Sequence, residues 1–282
     1  MSNWTVSQIM DQMESRYPKH LQESWDKNGL IVGDPEQPVR KILLAVDPVE
    51  ATVRQAIEGE YDLMITHHPL FLRGTNFVSR LDCKGRIVHD LIKNDVALLN
   101  AHTNADAATR GVAWALAKAC GIDGEPFDIV DEDASGNPRG LGRVGKLAEP
   151  MTLDQFANVV ANALPAGPHG IFIGTPAGED LATVVETVAV SGGSGDSFLD
   201  RAREVQADVY VTADLRHHPA SEHLERGKPA LISGSHWATE WLWLPHLADD
   251  LEAAAEDDGV EVQVDISRTV TEPWIDHRPT LG

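Results

Sequence analysis

Cysteine is nearly absent: Cys83 and Cys120 are the only two in 282 residues. A disulfide framework needs more of them, and a C-x-x-C redox or zinc motif needs them close together. Both are excluded, and two reduced thiols suit an intracellular protein. Long apolar runs are missing as well. No stretch approaches the roughly 18 consecutive apolar residues of a membrane-spanning helix. Met1 to Pro18 is polar and acidic, without a basic segment leading into an apolar one, so no signal peptide is expected. Basic residues are scarce: 23 Lys and Arg stand against 44 Asp and Glu, for a formal net charge of −21. Nonspecific nucleic-acid binding depends on cations that neutralise phosphates, so a general DNA or RNA binder is not expected. These absences leave a soluble, cytoplasmic protein without a membrane partner. Its 42% hydrophobic content is enough for a packed core.

Apolar runs that end at turn residues alternate with segments of helical spacing. Val6 to Tyr17 has helical spacing, and Pro18 stops it. Trp25 to Leu30 reads as a turn-rich loop ahead of Ile31-Val32-Gly33. Lys41 to Asp47, Asp62 to Thr66 and Val96 to Asn100 have the pattern of buried strands. Helices are expected over Val49–Gly59, Arg86–Asn94 and Asn104–Cys120, the last stopped by Gly121. This order predicts an α/β fold with mostly parallel sheets. The same order then repeats, with strands at Thr187–Ser191, Asp208–Thr212 and Pro229–Ser233 and a helix at Phe198–Val205. Gly140 to Thr175 reads as an additional strand-helix-strand segment, with its helix near Leu153 to Leu164. The acidic, turn-rich stretch Asp128 to Arg139 is the expected boundary. We therefore expect two pseudo-equivalent α/β lobes facing a shared site. The first comprises residues 1–128 and 232–282, and the second, inserted lobe residues 129–231.

In parallel α/β sheets the chemistry gathers at the carboxyl ends of strands. His67, His68, His102 and His236 all stand at such ends, and Asp106 and Glu240 each follow a histidine by four residues. An i+4 side chain returns to the same helical face, so each pair can grip an ion from one side. Adjacent His67 and His68 diverge if the chain is extended, and two ions, one for each histidine, would resolve that. Glu240 could bridge them, which makes it a candidate catalytic residue. Imidazole with carboxylate suits zinc, iron, manganese or nickel, and two divalent ions per chain are expected. A lone histidine at a strand end is usually just a satisfied polar group. Six donors at equivalent strand ends favour metal.

The other motifs are weaker. His217-His218-Pro219 echoes His67-His68-Pro69, so His218 is a candidate proton donor or substrate contact, against a plain loop residue. Ser191 to Gly195 is a glycine-rich stretch that could cradle phosphate. It lacks the P-loop lysine and any G-x-G-x-x-G, and a tight turn explains it equally well. His20, His89, His169, His223, His246 and His277 have no partners at ligand spacing. Trp237, Trp241 and Trp243 read as packing residues.

Taken together, these motifs resemble the NIF3-like family of dinuclear-metal proteins, some labelled GTP cyclohydrolase 1 type 2 homolog. The resemblance covers nearly the whole chain. It is carried by Trp25-Asp26-Lys27-Asn28-Gly29-Leu30, Ile65-Thr66-His67-His68-Pro69, Ala101 to Asp106, Ala189 to Gly195, Asp208 to Asp214 and Ser235-His236-Trp237-Ala238-Thr239-Glu240. It implies the same six ligands and a toroidal homohexamer with its metal sites facing an inner cavity. Ala105, Ala213 and Ser235-His236-Trp237 depart from the family's common Leu, Gly and Gly-His-Tyr without touching a ligand. The expected function is metal-dependent hydrolysis of a nucleotide or related phosphorylated compound, with purine-ring opening of GTP foremost. The alternatives are a phosphoester hydrolase and a non-enzymatic metal carrier or regulatory binder.

Overall fold

The computed structural model describes residues 3–280. The chain divides into two compact units. One holds the chain up to Ala105 together with Leu244–Thr271, and the other holds Asp106–Trp243 together with the chain from Glu272. The second unit therefore begins earlier and ends later than residues 129–231. The reason is packing. Leu116, Ala117 and Cys120 belong to the same core as Val188, Val209 and Ile232, and Ala230–Gly234 is paired to Val209–Ala213.

The first unit is built on a five-stranded sheet in the order Gln263–Ile266, Lys41–Ala45, Leu63–Thr66, Ala97–Asn100, Gly29–Val32. The first three junctions are parallel and the last is antiparallel. Ile42 to Leu44 and Leu63 to Ile65 are wholly buried. That is why these strands read as unbroken apolar runs: a parallel sheet covered on both faces needs apolar residues at every position. Leu43, Ala45, Met64 and Leu98 line one face, packed by Val53 and Ala56 of the helix Glu50–Glu58 and by Ile87 and Leu91 of the helix Cys83–Lys93. The helix Val6–Arg16 starts at a capping box. Thr5 accepts from Gln8 N at 3.3 Å, and the Gln8 side chain accepts from Thr5 N at 2.8 Å, an arrangement of about 1 kcal/mol.

The second unit carries the sheet Phe172–Gly174, Ala230–Gly234, Val209–Ala213, Val184–Ser194, Arg143–Thr152. Its two central junctions are parallel and its two outer ones antiparallel. The period of two along a strand sorts its core cleanly. Val188, Val190, Val209, Val211 and Ile232 face the helix Leu153–Ala163 through Phe156 and Val160. Ala189, Tyr210 and Leu231 face Leu199 and Ala202 of the helix Leu199–Glu204. Each unit thus holds three parallel strands taken in sequence order, as the repeat predicts. Among the described residues, no helix is long and apolar enough to cross a membrane.

Four local expectations are corrected. Asn104–Cys120 is not one helix but two, Thr103–Ala107 and Val112–Ala119, with Gly111 as N-cap of the second. Carbonyls freed at the break are taken by buried Arg143, whose Nη2 reaches Ala108 O at 3.0 Å and Thr109 O at 3.3 Å. Asp128 to Arg139 is not a boundary but, inside the second unit, most of a hairpin, Asp128–Glu132 with Pro138–Leu141. Asp133 closes it by accepting from Ser135 N and Asn137 N, each at 2.9 Å. Ser191 to Ser194 continues its strand rather than forming a loop. His217-His218-Pro219 opens the helix His217–Glu225, where proline is tolerated because first-turn N–H groups have no helical partner.

His223 of that helix is only 3% exposed. Its Nε2 donates to Pro229 O at 3.0 Å, so Nδ1 can accept from Arg203 Nη2, also at 3.0 Å. Burial, with Arg203 adding to it, holds the imidazole pKa below its ordinary 6.5. The unfolded chain then binds a proton more readily than the folded one. The stabilising contribution is full above the unfolded pKa and is lost as pH falls through the folded value. His223→Gln is expected to flatten the decline of the urea midpoint between neutral pH and about pH 5. An unchanged slope would show that His223 is not its source.

Candidate metal centre

The strand Leu63–Thr66 ends where the chain bends at His67 and His68. Their backbone N–H groups still donate to Ala45 O at 3.2 Å and Val46 O at 2.9 Å, so both residues are fixed to the neighbouring strand. Because the chain bends instead of staying extended, the adjacent side chains converge. Their ring centroids lie 5.0 Å apart, and His102 lies 5.1 Å from His67 and 5.4 Å from His68. One ligand nitrogen from each of the three lies within 4.8 Å of the others, close enough to hold a metal ion. The divergence expected from sequence is therefore corrected.

Each ring is held from behind through Nδ1. His67 Nδ1 meets Ala101 O at 3.1 Å. A carbonyl can only accept, so Nδ1 carries the hydrogen and neutral His67 has its lone pair on Nε2. His68 Nδ1 lies 2.7 Å from Asp47 Oδ1, and His102 Nδ1 lies 3.0 Å from Asp26 Oδ1. These carboxylates select the same tautomer. Acceptors on the outer nitrogen are the usual device for aiming histidine at a metal and raising its basicity.

Asp26 also explains the Trp25 to Leu30 loop. It is wholly buried and accepts from Lys27 N at 2.8 Å, Asn28 Nδ2 at 3.1 Å, Thr103 N at 3.1 Å and Thr103 Oγ1 at 2.6 Å. Burial works to raise its pKa, but the bonds from His102 and Thr103 prevail and hold it well below the carboxylate range. Asn28 Oδ1 accepts from His102 N at 2.9 Å. The loop is a socket for His102.

In the second unit the strand Ala230–Gly234 runs into Ser235, the N-cap of the helix His236–Trp241, which accepts from Ala238 N at 3.1 Å. One helical turn brings Glu240 Oε1 to 2.9 Å from His236 Nε2. Asp214, just past the strand Val209–Ala213, sits 2.7 Å from His236 Nδ1. His236 thus lies between two carboxylates. Burial opposes its charged form, yet Glu240 and Asp214 outweigh burial and push its pKa up to about 11. Its hydrogen bond to His236 holds Asp214 below the ordinary carboxylate pKa. The two carboxylates concentrate negative charge on this imidazole, and a divalent ion is one group that would offset it. The backbone makes room there. A Cβ on Gly193 would stand 2.3 Å from Glu240 Oε1 and 3.3 Å from His236 Nε2. The donor set therefore fits a divalent metal.

Asp106 lies in the short helix Thr103–Ala107, half-buried. His218 is exposed at the start of the helix His217–Glu225, its ring 5.1 Å from that of His217. Trp237 and Trp243 are buried packing residues. Sequence reasoning missed Asp26, Asp47 and Asp214 as partners of the histidines. A signal existed for two of them, since Asp47 and Asp214 are acids at the carboxyl ends of parallel strands.

Residues 4–273 match the family Duf34/NIF3 (NGG1p interacting factor 3). The chain is 46% identical over 272 residues to a Streptomyces coelicolor protein named GTP cyclohydrolase 1 type 2 homolog, covering 96% of this chain and 94% of that one. It is 32% identical to a Clostridium perfringens protein of the same name, covering 95% and 98%. Its fold is similar to that of a Bacillus cereus protein related to NIF3, with a TM-score of 0.89 at 25% identity, covering 98% of this chain and all of that one.

Proposed function

Starting from the fact that the chain belongs to the Duf34/NIF3 family, we propose that it is a metal-dependent hydrolase acting on a nucleotide or related phosphorylated compound. Its ligands are His67, His68, His102, Asp106, His236 and Glu240, which together hold two divalent ions: zinc, iron, manganese or nickel. The observation that carries this reading is the common orientation of four imidazoles, each with Nδ1 facing a fixed acceptor. Two such ions would acidify a water molecule and offset the negative charge that builds up during attack. The chain's own part is preorganisation. Asp26, Asp47 and Asp214 hold three rings at fixed angles, and Glu240 brings a buried negative charge suited to bridging two cations. His218 is exposed, and histidine is the side chain best suited to exchanging a proton near neutral pH. It is therefore the proposed donor to the leaving group. Purine-ring opening of GTP is the foremost reaction, by the name the relatives bear.

The test begins with metal analysis of protein purified without chelator, where about two ions per chain are expected. Metal-reconstituted protein is then screened against nucleotides and phosphoesters beside Asp106→Ala. Turnover confined to phosphoesters would move the assignment to a phosphoester hydrolase. Release of metal to an acceptor without any turnover would make the protein a carrier. Absence of metal after reconstitution with zinc, iron or manganese would end the metal reading.

A homohexamer completes the proposal, on the strength of family membership. Light scattering is expected to report six copies at micromolar concentration, and a monomer there would reject it.

A further inference from the structure

Beyond the strand Gln263–Ile266 the chain reads Ser267-Arg268-Thr269-Val270-Thr271, with a hydroxyl at every second position. In extended chain, alternate side chains share a face. That face is turned inward: Ser267 is buried and Thr269 and Thr271 half-buried, while Arg268 and Val270 are exposed. Ser267 N extends the strand pairing, donating to Leu44 O at 2.7 Å. Ser267 Oγ and Thr269 Oγ1 both reach Gln55 Oε1, at 2.7 and 3.2 Å. The last hydroxyl, Thr271 Oγ1, donates to Asp47 Oδ2. The other oxygen of that carboxylate, Oδ1, takes the hydrogen of His68 Nδ1. The row of hydroxyls therefore ends one carboxylate away from a proposed metal ligand.

We propose that Thr271 is a positioning residue for the metal centre: it holds Asp47 so that Asp47 can aim His68, and thereby sets the affinity of the site for a divalent cation. This rests on the metal-centre reading above. Asp26 and Asp47 differ in why they need help. Asp26 is sealed from water and held by donors of its own loop, Lys27 N and Asn28 Nδ2, and by the N–H and hydroxyl of Thr103. Asp47 and His68 have side chains 23% and 22% exposed, so water competes for the carboxylate oxygens. A carboxylate held at one oxygen only can rotate, and the imidazole it aims regains freedom that must be given up on binding. Thr271 supplies the second anchor. The strap that carries it is fixed in turn through Ser267 and Thr269 on the helix Glu50–Glu58.

The experiment is a zinc titration of the metal-free full chain in competition with a chromophoric chelator. It uses the unmodified protein, Thr271→Val and Thr271→Ser, with urea unfolding of each metal-free protein alongside. Valine keeps the shape and removes the donor; serine keeps the donor. Zinc affinity is expected to fall about tenfold in Thr271→Val, the lower end for an outer-shell partner, and Thr271→Ser is expected to bind as the unmodified chain does. Two results overturn the proposal: Thr271→Val binding zinc as tightly as the unmodified chain, or a lowered urea midpoint with zinc affinity unchanged, which would make Thr271 merely structural. Failure of the unmodified chain to bind zinc would bring down the metal-centre reading itself.

Discussion

Glu240→Gln is expected to reduce the metal content from about two ions to about one per chain and to lower metal-dependent turnover at least about 100-fold. His67→Ala or His68→Ala is expected to weaken binding while keeping the pair. The argument is one of charge. Two divalent ions at the proposed centre would bring about four positive charges together, and ligating imidazoles are neutral. Only Glu240 and Asp106 among the six proposed ligands would offset that repulsion. Glu240 is also buried, at 3% exposure, so its charge is screened less than that of a surface carboxylate. Gln is almost isosteric, so the loss reports charge rather than packing. Asp106→Asn should fall in the same direction. If Glu240→Gln keeps both ions and full turnover while His67→Ala loses both, the histidines carry the site and the shared-carboxylate picture is wrong.

The proposed ligand histidines are legible because they follow apolar strands, and strand ends can be read from one sequence. Their orientation is not. Asp47 and Asp214 reach histidines 21 and 22 residues away, and Asp26 reaches one 76 residues away. The strand-end positions of Asp47 and Asp214 mark them as candidates, but no local pattern says which histidine each will meet. Convergence of His67 and His68 escapes the sequence for a related reason: a period-of-two rule holds only while the chain stays extended, and the bend after Thr66 is fixed by bonds to Ala45 and Val46. The interior parallel strands stand at nearly the positions their composition predicts, since burial on both faces leaves an unmistakable apolar run, whereas the parallel edge strand Gln263–Ile266 is mixed in composition and carries no such signal. The edges are harder. Antiparallel edge strands such as Arg143–Thr152 are only partly buried and mixed in composition. The hairpin from Asp128 to Leu141 reads as a boundary because its acidic residues and the turn at Asp133 look like the space between two units. The glycines at 192 and 193 resemble a loop because glycine marks both a turn and the close approach of another group, and only the fold tells which applies.

Gly193→Ala is expected to cost the site more than it costs the fold. Gly193 has φ of +64°, a conformation that disfavours any Cβ by about 1–2 kcal/mol. That strain alone would be tolerable. The new methyl, however, would be placed 2.3 Å from Glu240 Oε1, closer than two such atoms can stand. The backbone cannot readily retreat, because Gly193 N donates to Thr239 Oγ1 at 3.0 Å and Gly193 O accepts from Thr212 Oγ1 at 3.3 Å. The carboxylate must therefore move, giving up its place beside His236. Zinc affinity is expected to fall by at least about 100-fold, as for loss of a strong outer partner or more. Gly121→Ala separates space from strain. Gly121 has φ of +75°, and nothing lies within 4 Å of the place its Cβ would take, so that variant should lose about 1–2 kcal/mol in urea unfolding and bind zinc normally. If Gly193→Ala matches Gly121→Ala in both measurements, Glu240 has room to yield, and the glycine serves the strand rather than the metal.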